Sequence, residues 1–138
     1  VGRYVSAADV RAEYPQDLLQ RLTDDERLGV VDDARIEKAI AWAEAYVHAS
    51  IYAFYRVPLS GSPDIVRRWV TDLAVWRLFQ RWGDDPRVRE RKERVDSELK
   101  AVAEGRMRIP GAEGDYKGDV GFLSRTPIPW PRRGGRLP

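Results

Sequence analysis

The residues best equipped for chemistry are an acidic run, one histidine and a few scattered carboxylates. Asp24-Asp25-Glu26 through Asp32-Asp33 invites a calcium-loop reading. With Asp24 first, Glu26, Gly29 and Asp32 take the third, sixth and ninth places. Leu28 then occupies the fifth, and Arg35 stands in the twelfth, where a bidentate glutamate is required. A cation in the decisive slot defeats metal binding, and Asp32 and Asp33 are explained by the positive N-terminus of a following helix. His48 lies one helical turn from Glu44 and Tyr52, but no motif supplies an activated nucleophile beside it. Glu13, Glu37, Glu44 and Asp72 could be paired as acid and base, yet no spacing singles out two of them. The chain has no cysteine, which removes thiol nucleophiles and thiolate metal sites together. The residues predict no catalytic site, no metal and no cofactor: not an enzyme.

Binding is better supported. Arg87, Arg89, Arg91, Lys92, Arg94 and Lys100 interleave with Glu90, Glu93, Asp96 and Glu98. The pairs Glu90–Arg94 and Asp96–Lys100 are four apart in the favourable orientation, so this surface neutralises itself. It suits solvent, or a second copy of the chain, better than nucleic acid. Five tryptophans are many for 138 residues. Trp69 and Trp76 share a helix face by their spacing of seven, and Trp42 lies on the edge of another stripe; core packing and a subunit interface compete for them. Trp130 differs, because Thr126-Pro127-Ile128-Pro129-Trp130-Pro131-Arg132-Arg133 is a stiff, extended segment with an aromatic anchor and two following cations.

These side chains must be carried by a frame, and the charges divide it. Lys+Arg total 24 against 22 Asp+Glu, a net +2. Residues 1–104 hold 17 basic and 19 acidic groups; residues 105–138 hold 7 and 3, with 7 of the 11 glycines and 5 of the 9 prolines. The reading is a helical body, 1–104, and an extended Gly/Pro-rich basic arm, 105–138. The longest uncharged run, Ala45–Tyr55, is too short to span a bilayer, and no signal-peptide pattern opens the chain. A soluble, intracellularly made protein is expected.

Within the body, Ser6 with Asp9 predicts a capping box and a short helix to about Glu13. Pro15 suits the first position of a second, with Leu18, Leu19 and Leu22 inward. Asp32 or Asp33 opens a long helix to about Phe54, whose Ile36, Ala39, Ile40, Ala43, Val47, Ile51 and Phe54 repeat at three and four. A second stripe, Trp42, Tyr46, Ala49 and Ala53, widens its apolar face. Tyr55–Gly61 is a connector in which Pro58 bars Val57 from the helical region. Ser62 is expected to cap a helix from about Pro63 to Trp82, apolar over most of its circumference and ended by Gly83. Asp85 and Pro86 start the last, to about Glu104, with Val88, Val95, Leu99 and Val102 inward. The fold class is all-α: a small bundle of two to three major helices with short N-terminal helices and a C-terminal arm.

This ordered series resembles the Mu-like bacteriophage head–tail connector (adaptor, head completion) family. The likeness is carried by Tyr4-Val5-Ser6-Ala7-Ala8-Asp9-Val10, Leu22-Thr23-Asp24-Asp25 leading to Val31-Asp32-Asp33, and Ile36-Glu37-Lys38-Ala39-Ile40 with Ala43. It continues in Tyr55-Arg56-Val57-Pro58-Leu59, in Asp72-Leu73-Ala74-Val75-Trp76-Arg77-Leu78 and in Ala103-Glu104-Gly105. It departs at Ala53-Phe54-Tyr55, where the family more usually has a small or basic residue before the tyrosine. The resemblance implies a structural virion protein at the head–tail junction, made in the host cytoplasm. It implies a homo-oligomeric ring, commonly of twelve subunits, beneath the portal protein, meeting a neck or tail completion protein below. DNA would pass through its channel without specific binding, no membrane is involved and no enzymatic chemistry follows. A nearly neutral body fits a conduit, since each phosphate contact would add salt-dependent grip.

On this reading Ile128, Trp130, Arg132 and Arg133 are the contacts of an arm that docks on the portal or a neighbour. Trp42, Tyr46, Arg77, Arg81, Arg87, Glu90 and Arg94 are the candidate subunit contacts. The alternative is a small helical DNA-binding or regulatory module using the Arg-rich helix or the tail.

Overall fold

The computed structural model describes residues 2–23, 32–80, 83 and 85–117. Five helices follow in order: α1 (Ala7–Glu13), α2 (Gln16–Thr23), α3 (Asp33–Ile51), α4 (Asp64–Phe79) and α5 (Pro86–Ala103), then a 3₁₀ turn, Glu113–Asp115. Among the described residues there is no strand, and the fold is an all-α small bundle.

Local chemistry explains the boundaries. Ser6 forms the expected capping box: its side chain accepts from the Asp9 amide while the Asp9 carboxylate accepts from the Ser6 amide. Asp32 caps α3 by accepting from the Ala34 N–H at 3.0 Å, and Asp85 caps α5 ahead of Pro86. Two expectations are corrected. α3 ends at Ile51 rather than Phe54, because the amides of Phe54 and Tyr55 both turn back to the Ile51 carbonyl. Ser62 does not cap α4; Pro63 stands at that position, with no side-chain cap bond, and is itself buried. Trp82, expected at the end of α4, lies outside the described residues.

The core is one cluster. Ile36, Ile40, Val47 and Ile51 of α3 face Val66, Trp69, Val70 and Leu73 of α4, all fully buried. Val95, Leu99 and Val102 of α5 close the third side. α1 and α2 lie across the bundle through Val10, Leu19 and Leu22. Thr23, completely buried, donates to the Leu19 carbonyl and accepts the Asp32 N–H at 2.9 Å, joining the end of α2 to the start of α3. Trp69 is wholly buried, and its indole N–H reaches Glu98 of α5 at 2.8 Å, where Arg68 also pairs at 3.0 Å. It belongs to the core, as a buried indole requires a partner.

The N-terminal segment is fastened to the bundle by carboxylates that the sequence offered as acid–base candidates. Glu44 accepts the Tyr4 amide at 2.9 Å and Glu37 the Ala7 amide at 3.0 Å. They hold backbone.

The boundary at residue 104 does not mark the end of packing. Gly105, at φ +78°, turns the chain out of α5, and the Arg106 amide reverts to the Ala101 carbonyl at 2.8 Å. Ile109 and Ala112 are then buried, and the Ile109 amide donates to the buried Tyr55 hydroxyl at 2.7 Å. Tyr116 stacks on Phe54, and the Lys117 amide reaches the Phe54 carbonyl. Residues 105–117, assigned by composition to the arm, therefore cover the connector between α3 and α4. Two isolated apolar residues were too few to show as periodicity. The segment from 118 onward lies outside the described residues.

Candidate functional site

Three helices bring aromatic and cationic side chains to one strip of the surface. Trp42 and Tyr46 come from α3, one turn apart; Trp76 and Arg77 from α4; Lys92 and Asp96 from α5, again one turn apart. The spacing of four puts Trp42 with Tyr46, and Lys92 with Asp96, on one helix face. Trp42 and Trp76 stack with centroids 5.8 Å apart and planes at 26°. Tyr46 leans on Trp42 at 5.2 Å. The Arg77 guanidinium lies 5.0 Å from the Trp42 ring, and the Lys92 ammonium 4.5 Å from Trp76 and 5.5 Å from Tyr46. These are cation–π distances.

One hydrogen-bonded edge fixes the strip. Tyr46 donates from its hydroxyl to Asp96 at 2.7 Å, and Lys92 pairs with the same carboxylate. Partial burial raises the Tyr46 pKa, helped by the bond to Asp96, because an anion there would face a carboxylate. Burial works against the Lys92 ammonium, but Asp96 and the Tyr46 oxygen together hold the lysine above its ordinary value. The rings remain half-buried, and Arg77 is exposed. Aromatic rings capped by cations, half in water, are what protein interfaces enrich.

A second cluster joins the end of α1 to α4 and α5. Tyr14 donates to Asp72 at 3.3 Å, while Arg91 donates to the Tyr14 hydroxyl at 2.8 Å and lies 4.0 Å from Asp72. Burial pushes the Tyr14 phenol up to about 12, with Asp72 adding to the effect. Burial also raises Asp72, against the nearby arginines. With a half-buried phenol locked between an acid and a guanidinium, the arrangement clamps helices together. His48 plays a similar part: its Nε2 is 2.7 Å from the Tyr4 hydroxyl, and burial lowers its pKa.

Of the residues singled out as subunit contacts, Trp42, Tyr46 and Arg77 converge on the strip. Arg87, Glu90 and Arg94 are exposed on another face of α5, and Arg87 stands 3.7 Å from the cap Asp85. Arg81 lies outside the described residues, as do Ile128, Trp130, Arg132 and Arg133. Lys92 and Asp96 were missed as strip residues. The signal was their spacing of four, obscured by the equal spacing of Asp96 and Lys100. Among the described residues no group of three or more acids or histidines could hold a metal ion, and no helix is long and apolar enough to cross a membrane.

Comparison with known proteins supports the Mu-like phage part of the resemblance. A family model described as bacteriophage Mu, Gp36 matches residues 4–119. A comparison with curated proteins gives no match. The matched span includes the bundle, the strip and the packed segment after α5.

Proposed function

We propose a role for this chain from one premise: it belongs to the bacteriophage Mu Gp36 family. The reading is a structural virion protein, a head–tail connector or adaptor, whose copies form a ring beneath the portal and extend the DNA channel towards the neck or tail. The observation that supports it, beside the family, is the half-buried Trp42–Trp76 stack with its capping cations, an exposed surface of interface composition on a rigid three-helix frame. Subunit contacts are assigned to Trp42, Tyr46 and Arg77 with Lys92. Arg87, Glu90 and Arg94 offer a charged flank to the same or a second neighbour. The role assigned is assembly, without catalysis or cofactor, and DNA passes without a specific site.

The arm is assigned to the portal or to a neighbouring copy, through Ile128, Trp130, Arg132 and Arg133. Since residues 105–117 pack on the body, the arm for this purpose begins at 118. The test images the full chain by electron microscopy, alone and mixed with its portal, and repeats the assembly with residues 118–138 removed. Rings with a central channel support the connector. A monomer or dimer that binds duplex DNA, with affinity falling steeply in salt, would establish the regulatory-module alternative instead. Truncated chains that still join heads to tails normally would remove the arm's docking role.

A further inference from the structure

Two grooves of similar size flank α4, and their charges are opposite. One, about 440 Å³, is lined by Arg35, Lys38, Trp42, Arg77, Leu78 and Gln80, with no carboxylate among its described lining. The other, about 460 Å³, lies between α1 and α4, with Asp9, Glu13, Asp64 and Asp72 set against Arg67 and Arg68. In the second, much of the positive charge is already engaged. Arg68 pairs with Glu98, and Arg67 is 3.7 Å from Asp64. In the first, Arg35 is 3.6 Å from Asp32, so Lys38 and Arg77 carry its charge. Glu13 and Asp64 are exposed at its rim, as Lys38 and Arg77 are in the first.

The grooves draw on different faces of α4 through Arg68 and Arg77. At about 100° per residue, Arg77 lies about half a turn around α4 from Arg68. A copy that seats one groove on a neighbour leaves its other groove free for the next, and that contact repeats head to tail. A polyanion is the poorer occupant of the cationic groove, because the body around it carries more acid than base.

We propose that the two grooves are the halves of one heterologous contact between copies, with the Glu13/Asp64 groove of one subunit seated over the Lys38/Arg77 groove of the next. This rests on the ring reading and names the faces that close it. The Trp42–Trp76 strip borders the cationic groove through Trp42 and supplies the apolar part of the contact. The charges set its register and direction.

The test is a charge exchange read by sedimentation and negative-stain imaging, with circular dichroism to establish folding. Lys38→Glu with Arg77→Glu makes both grooves acidic; Glu13→Lys with Asp64→Lys makes both basic. Each double variant alone should weaken self-association by about 100-fold or more, as like charges meet. Mixed in equal amounts, the two should reassemble with alternating subunits. Should a reversal unfold the chain, the neutral changes Lys38→Gln with Arg77→Gln serve, and weakened assembly is again expected. Wild-type rings that survive both reversals, or variants that dissociate and do not complement, overturn the pairing of faces and leave the ring standing. Wild-type chain that stays monomeric even with its portal overturns both. Duplex DNA retained by the wild type and lost in Lys38→Glu/Arg77→Glu would reassign the cationic groove and overturn the contact.

Discussion

Tyr4 and His48, forty-four residues apart, are joined by a 2.7 Å bond between the phenol oxygen and the imidazole Nε2. The same oxygen accepts the buried Leu59 N–H at 2.9 Å. One phenol thus ties the N-terminal segment, α3 and the connector before α4. Arg3 adds its guanidinium on the Leu59 carbonyl at 3.0 Å.

The bond makes stability depend on pH. Burial depresses the His48 pKa, with Glu44 opposing and Arg3 assisting. A base whose folded pKa is depressed favours the fold while neutral. Its contribution is full above the unfolded value of 6.5 and falls as pH drops towards the folded value. Urea midpoints should therefore decline between about pH 7 and 5. Tyr4→Phe should cost about 1–3 kcal/mol by leaving the Leu59 amide unpaired, and His48→Gln should flatten the slope. Equal slopes in wild type and His48→Gln would contradict the assignment.

The Tyr14 phenol titrates in the opposite sense. Its pKa is pushed up to about 12 by burial and by Asp72. The folded state resists its ionisation, so stability is present below the ordinary value of 10 and is lost as pH rises towards 12. Ultraviolet titration of wild type against Tyr14→Phe should isolate the Tyr14 ionisation as a late step, beside those of Tyr4, Tyr46 and Tyr55, which burial also raises. In Asp72→Asn the late step should move downward, and an unchanged step would refute the clamp.

Residues 105–117 should behave as body. Ile109→Ala empties a fully buried site and is expected to cost about 2–5 kcal/mol. Tyr55→Phe removes the acceptor of the Ile109 amide, at about 1–3 kcal/mol. Chemical denaturation checks both. Losses below about 0.5 kcal/mol in both variants would return the segment to the arm.

Gly105 is required by its backbone and by its neighbour. At φ +78° a side chain is strained, and a Cβ would meet the Phe54 ring at 3.2 Å. Gly105→Ala should destabilise by about 1 kcal/mol or more, whereas Gly61→Ala, with open space around it, should change stability by less than about 0.5 kcal/mol. Thermal midpoints of the two variants make the comparison, and equal midpoints would refute it.

The strip predicts a separation between stability and assembly. Arg77→Ala removes an exposed cation from over the half-buried Trp42 ring and should cost the monomer only about 0.5–1 kcal/mol. If the strip is an interface, the same change should weaken self-association by more than that, because arginine at an aromatic contact is a common hot spot. Sedimentation against denaturation of the same sample decides. Parallel losses would make the strip purely structural.

The amino-acid sequence by itself determined the helices. Ser6 with Asp9, Asp32 ahead of Ala34, and Asp85 with Pro86 act within three residues, and the apolar repeats of α3 and α5 work over one or two turns. Such interactions are complete within a turn and need no distant partner. It also brought Trp42, Tyr46 and Arg77 forward as contact residues, from aromatic and arginine character alone. The tertiary structure decided what each of them meets. Trp76 was as credible in the core as Trp69 until α3 and α5 arrived beside it: the Trp69 indole found Glu98 inside, while Trp76 found Trp42 and Lys92 at the surface. Glu44, Glu37 and Asp72, among which no spacing singled out an acid–base pair, are partners for amides, a phenol and a guanidinium. Composition placed the end of the body at residue 104, yet Ile109 and Ala112 are buried beyond it. The bonds of Tyr4 to His48 and of Tyr55 to Ile109 join residues 44 and 54 apart, and no local pattern records a contact across such a distance.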